Sequence, residues 1–272
     1  MQLLSIDVVI GALSMGLFAV KLFQVSPGFL WWVVLALSVW VIYTVDHLID
    51  SFSMKNEAII VRHQLHYQYR YLFIVLISIL IATILFIVWF FLDRRIFVGG
   101  IALGFGALIY FGMITLGREK KLCFQKEFFI SLFYIAGIWF TPVLLSGKEI
   151  SPFNYSIIAL FIVLVWTEGI IIAVYEYSKD IKDNHISFVT FFGRKRSNYF
   201  LIFQFVLISV LLIATYSFAD TRLQVLAFTI SFFMVVGLLA LFIFQKIFAH
   251  HELYKTLGEL IFWLPGILWI IT

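Results

Sequence analysis

Long apolar runs, broken by short charged stretches, repeat along the whole chain. One begins at Phe29 as FLWWVVLALSVWVI and ends in YTVDHLIDSF, Tyr43 to Phe52, with two aspartates four residues apart. A helix crossing a bilayer needs about 20 mostly apolar residues. By that measure nine spans are predicted, at approximately 3–24, 28–49, 71–92, 96–117, 127–147, 155–176, 198–218, 222–245 and 256–272. Hydrocarbon satisfies no backbone polar group from outside, so each run must be a helix. The expectation is an all-α polytopic membrane protein of nine transmembrane helices, with residues 1–272 forming a single transmembrane domain.

Composition agrees with this reading. The chain is 63% hydrophobic and 12% charged, against about 25% charged residues in a soluble domain. Such a sequence cannot cover a water-facing surface. Cys123 is the single cysteine, which excludes an intrachain disulfide and a cysteine-based metal cluster. Basic residues lie in short loops, so nucleic acid is not an expected partner, and no obligate protein partner is evident. The first run lacks a basic leader and a small-residue cleavage site, and is read as a retained anchor.

Charge orients the bundle. With the N-terminus inside, 14 of the 19 Lys and Arg fall in the inner loops and five in the outer ones. The excess places the N-terminus and the acid-rich loops in the cytoplasm, with a bacterial inner membrane as the expected setting. All the long charged loops then lie on one side.

Two acid clusters stand at that side. If the second span continues as helix, Asp46 and Asp50 lie one turn apart on one face. Like charges so placed repel, and more so when desolvated. They read either as a divalent cation site or as solvated charges ending a helix. Mg²⁺ takes oxygen ligands, usually one or two carboxylates together with substrate phosphates. The second cluster follows the sixth span in YEYSKDIKDNHISFVTFFGRKRS, with Glu176, Asp180 and Asp183 interleaved with Lys179 and Lys182. Two facing clusters of this kind can hold metal ions around one diphosphate. Glu176 with Asp180, or Asp180 with Asp183, could be the working pair. Glu168 lies deeper in the sixth span, where an acid is costly and is functional by default. Asp7 and Glu259 read as interfacial. His63 and His66 are spaced for a metal, but a basic cap is the simpler reading of RHQLHYQYR.

Taken together, an inward span ending in DxxxD, a second acid cluster after the sixth span, and nine spans with the N-terminus inside resemble the UbiA superfamily of intramembrane prenyltransferases. Lys179-Asp180-Ile181-x-Asp183 is similar to the KD[IL]xD of aromatic prenyltransferases, and Thr190 and Gly193 fall where that family has a Thr and a Gly. Ile42 stands at the usual Asn of the first motif, and Ser187 where a Gly is common. The pattern is that of a divergent member.

The resemblance implies a UbiA-like bundle with cytoplasmic cap loops and Mg²⁺-dependent transfer of a prenyl group from a prenyl diphosphate to an aromatic or other lipophilic acceptor, within membrane lipid. It implies Asp46, Asp50, Glu176, Asp180 and Asp183 as metal ligands. Arg62, Lys126 and Lys179 would meet the diphosphate, and Tyr43 and Tyr175 the developing carbocation. Glu168 would bind the acceptor or take its proton. A terpene cyclase on the same site is the first alternative, and an ion-coupled transporter or lipid-binding protein the second. Transporters place their charges near the midplane, on helices broken by Gly or Pro.

Overall fold

The computed structural model describes residues 4–54, 61–116, 126–183 and 187–272, all helix, turn or coil. The elements are α1 (Ile6–Phe23), α2 (Phe29–Met54), α3 (Val61–Gln68), α4 (Arg70–Phe91), α5 (Arg94–Leu116), α6 (Lys126–Ser146), α7 (Pro152–Lys182), α8 (Phe188–Phe192), α9 (Arg194–Ser217), α10 (Arg222–Ile243), α11 (Gln245–Phe248), α12 (Leu253–Ile261) and α13 (Ile267–Ile271). Among the described residues, eight segments are long and apolar enough to cross a membrane. The fourth expected span is also a helix, the 23-residue α5.

Local chemistry sets several boundaries. Ser151 Oγ accepts the amide of Asn154 at 3.2 Å and Pro152 occupies the first turn of α7. Both features favour helix initiation there. Thr221 and Gln224 form a reciprocal capping box at the start of α10. The last expected span differs from a continuous helix. A 3₁₀ turn at Leu264–Gly266 separates α12 from α13, because Pro265 has no amide to continue the α-helical ladder.

Two helices organise the bundle. α1 packs against α2, α6, α10, α12 and α13, while α7 packs against α6, α8, α9, α10 and α12. Between α1, α6 and α7, Phe18, Trp139 and Phe161 form a closed triangle with ring centroids 6.1, 5.2 and 5.7 Å apart. All three rings are buried. α4, α5 and α9 turn large apolar side chains outward, among them Trp89, Phe105 and Ile213. Hydrocarbon, not water, accounts for that surface.

α7 is the longest element. Its 31 residues extend about 46 Å at the helical rise, against a hydrocarbon thickness of about 30 Å. Its last turns, which carry the second acid cluster, therefore lie at or beyond the apolar slab.

Trp139→Ala is expected to remove about 3–5 kcal/mol of stability, read as a fall in melting temperature in detergent. Ile213→Ala on the lipid-facing side should change stability by no more than about 0.5 kcal/mol.

Candidate functional site at the acid-bearing helix ends

The question posed by DHLID is answered by a residue 76 positions away from Asp50. α2 runs without interruption through Asp46 and Asp50 to Met54. Lys126, at the start of α6, places its Nζ 3.0 Å from Asp46 Oδ1 and 2.8 Å from Asp50 Oδ2. The three side chains are only 10%, 15% and 14% exposed, so water does little to screen the group. A cation at a helix N-terminus opposes the helix dipole. The two carboxylates supply the attraction that overrides it.

The next residue turns toward the other cluster. Glu127 Oε1 accepts the amide of Phe188 at 2.7 Å, at the start of α8, the helix that follows the second acid cluster. The backbone of α7 passes close by: a side-chain carbon at Gly169 would sit 3.6 Å from Glu127 Cβ. Consecutive residues of one helix end thus hold the acid-bearing end of α2 and the start of α8, the helix that follows the second acid cluster. Tyr110 adds a bond from its hydroxyl to the Lys126 carbonyl, at 3.2 Å.

At the second cluster, Glu176 Oε1 lies 2.8 Å from Lys255 Nζ and 3.4 Å from the Tyr254 hydroxyl. Lys255 also meets Glu252 at 2.9 Å, and Glu252 pairs with Lys179. Asp180 accepts the Ser187 hydroxyl at 3.2 Å. Ser187 and Thr190 form a reciprocal capping box for α8, and Gly193 follows with φ +82°. That backbone angle favours glycine. The Thr and Gly singled out in the sequence thus shape the chain turn behind Asp180. Asp183 caps α7, its amide reaching the Lys179 carbonyl at 2.9 Å. Asp180 and Asp183 are 3% and 8% exposed.

The remaining candidates take distinct places. Tyr43 stands edge-on to Tyr134, centroids 6.1 Å apart, one turn from Asp46. Tyr175 stacks flat on Tyr254 at 4.3 Å and gives its hydroxyl to the Leu241 carbonyl at 2.6 Å. One of its faces and its hydroxyl are therefore engaged in packing. It also borders a cleft of about 720 Å³ with Arg194, Gln245 and Lys246. His66 is buried, stacked on Phe73 at 4.5 Å and edge-on to His47 at 5.5 Å. It packs α3 onto α2 and α4. The side chain of Arg62, and His63 with it, lies outside the described residues, as do Arg118, Lys120 and Lys121.

Glu168 lies within the bundle, 12 residues before Asp180 on α7, a rise of about 18 Å. It faces α12, where a side-chain carbon on Gly258 would approach its Oε1 to 3.0 Å. That oxygen is buried and has no hydrogen-bond partner. Asp7 and Tyr134 are its electrostatic neighbours. Asp7, expected at the interface, is 6% exposed inside the bundle, and its carbonyl accepts the Trp263 indole at 3.1 Å.

Among the described residues no three His, Cys, Asp or Glu side chains come together as a metal-binding group. The donor chemistry nevertheless suits a hard cation. Oxygens of Asp46 and Asp50 converge on one positive group at 2.8–3.0 Å, and Mg²⁺ is commonly held by one or two carboxylates with water and phosphate completing its shell.

Sequence reasoning missed Glu127, Tyr254, Lys255 and Glu252. A charged residue at the foot of α6 was visible, but only folding shows which acid it meets. Lys255 reads in sequence as one more inner-loop cation.

The fold and the grouping of charge at one end define a polytopic, all-helical integral membrane protein. The sequence matches no family model and no curated protein. Among solved structures, it is similar to a UbiA homolog from Archaeoglobus fulgidus bound to GPP and Mg²⁺, with a TM-score of 0.65, 13% identity and coverage of 100% of both chains. The chain therefore has the fold of that UbiA homolog.

Glu127→Ala is expected to strand the Phe188 amide and cost about 1–3 kcal/mol. Hydrogen exchange at that amide should accelerate, and unchanged exchange would show that another acceptor holds it.

Proposed function

We propose that this chain is a divergent UbiA-type intramembrane prenyltransferase, transferring a prenyl group from a prenyl diphosphate to an aromatic or other lipophilic acceptor with Mg²⁺. The observation that carries the reading is the convergence of Asp46 and Asp50 on the Lys126 ammonium, with the adjacent Glu127 holding the start of α8, the helix that follows the second acid cluster. Its fold is shared with a protein whose structure holds GPP and Mg²⁺.

In this reading Asp46 and Asp50 hold metal from one side, and Asp180, with Glu176 or Asp183, from the other. Bound Mg²⁺ supplies positive charge to the diphosphate. Lys126 and Lys179 add cations for the same oxygens, and the resemblance adds Arg62 to them. The allylic carbon–oxygen bond breaks and its electron pair leaves with the diphosphate. Tyr43, one turn deeper than Asp46, offers an aromatic edge of the cavity to the carbocation. Tyr175 acts through packing, holding Tyr254 beside Glu176. A carbon–carbon bond then forms to the acceptor, which loses a proton; Glu168, deeper on α7, would bind the acceptor or take that proton. The excess of inner-loop Lys and Arg orients this mouth toward the cytoplasm.

Asp46→Ala and Asp180→Ala should each abolish Mg²⁺-dependent consumption of GPP by purified protein, with the melting transition in detergent retained. Turnover surviving both substitutions removes the acid clusters from the reaction. Mass spectrometry of the products separates the alternatives. A prenylated aromatic formed only with acceptor supports transfer, whereas a cyclic hydrocarbon formed without one assigns a terpene cyclase.

A further inference from the structure

We propose that Lys126 is a built-in counter-cation of the Asp46–Asp50 pair, and that a divalent metal takes its place only as the ammonium passes to an anionic diphosphate ligand, so that metal and diphosphate bind as a coupled pair. This rests on the reading that these carboxylates hold a divalent cation.

The argument is one of charge balance in a shielded place. Lys126 Nζ touches both carboxylates, at 3.0 and 2.8 Å, where a metal ligated by them would sit. Two cations cannot share that point. At 10% side-chain exposure, a displaced ammonium has little access to bulk water. A buried charge stripped of its partner is strongly unfavourable. The nearest carboxylate along its own helix, Glu127, is engaged by the Phe188 amide. Across the mouth, Glu176 and Glu252 already have lysines of their own. A diphosphate arriving with the metal supplies a doubly charged anion to receive Lys126. A metal alone has to expel a well-paired cation, and a diphosphate alone meets an ammonium already committed to two acids. Each improves the site for the other, and the coupling is reciprocal.

The test measures metal retention, not turnover. Full-length protein in lipid nanodiscs is brought to equilibrium dialysis against Mn²⁺, with and without inorganic pyrophosphate. Wild-type protein should bind Mn²⁺ alone weakly and gain more than about tenfold in affinity with pyrophosphate. Lys126→Gln should bind Mn²⁺ alone at least about tenfold more tightly than wild type, and gain less from pyrophosphate. Lys246→Gln, which removes an exposed cation at the same end of the bundle, should behave as wild type.

The proposal is overturned if wild type binds Mn²⁺ equally well without pyrophosphate, if Lys126→Gln binds it no more tightly, or if Lys246→Gln tightens it as much. Should Lys126→Gln not fold, the wild-type comparison decides. Strong binding that ignores pyrophosphate defeats the coupling and leaves the metal reading standing. No retention of Mn²⁺ in any sample defeats both.

Discussion

Charge inside a poorly solvated protein must be matched by charge, and the bridge from Lys126 to Asp46 and Asp50 satisfies that demand at the end of α2. It joins α6 to the end of α2. Through the neighbouring Glu127, the same helix end reaches Phe188, next to the Ser187 that bonds Asp180. Without such links, the like charges within each acid cluster would repel one another. With them, negative charge concentrates at one end of the bundle and stays ordered.

The two clusters are neutralised by different means. At α2, one lysine serves two acids in a tight, shielded group. At α7, a chain of side chains alternates in sign, from Glu176 through Lys255 and Glu252 to Lys179. Lys179 and Glu252 in that chain are more than a third exposed, so solvent weakens each pair and each contributes little alone. The segment that supplies Glu252 is itself unusual. His251 and Glu252 both adopt left-handed backbone angles, φ 51° and 55°. Neither is glycine, and such conformations cost free energy that surrounding contacts must offset.

Much of the architecture was legible in the apolar runs, since each span has to satisfy its own backbone within itself. The expected second, third and sixth spans lie within α2, α4 and α7, apart from one end residue each at α2 and α4. The break in the last span was harder to read. Pro265 sits in an apolar run, and composition alone does not say whether a helix bends or stops there. The acids were legible as clusters because charge is rare in this sequence. Their partners were not, because pairing depends on which helix ends meet in space. Thr190 and Gly193 show the same division: the residues drew notice by likeness, while the capping box and the positive φ explain why those side chains suit their places. Glu168 was conspicuous by depth, but its contact with the backbone at Gly258 belongs to tertiary packing.

The unbroken course of α7 has a geometric consequence. Glu168 and Asp180 are carried on one rod, so neither can shift along the membrane normal without the other. Their axial separation, about 18 Å, works as a ruler. A molecule that engages both must be long enough to reach from the headgroup region into the interior, and a compact polar one can touch only the outer mark.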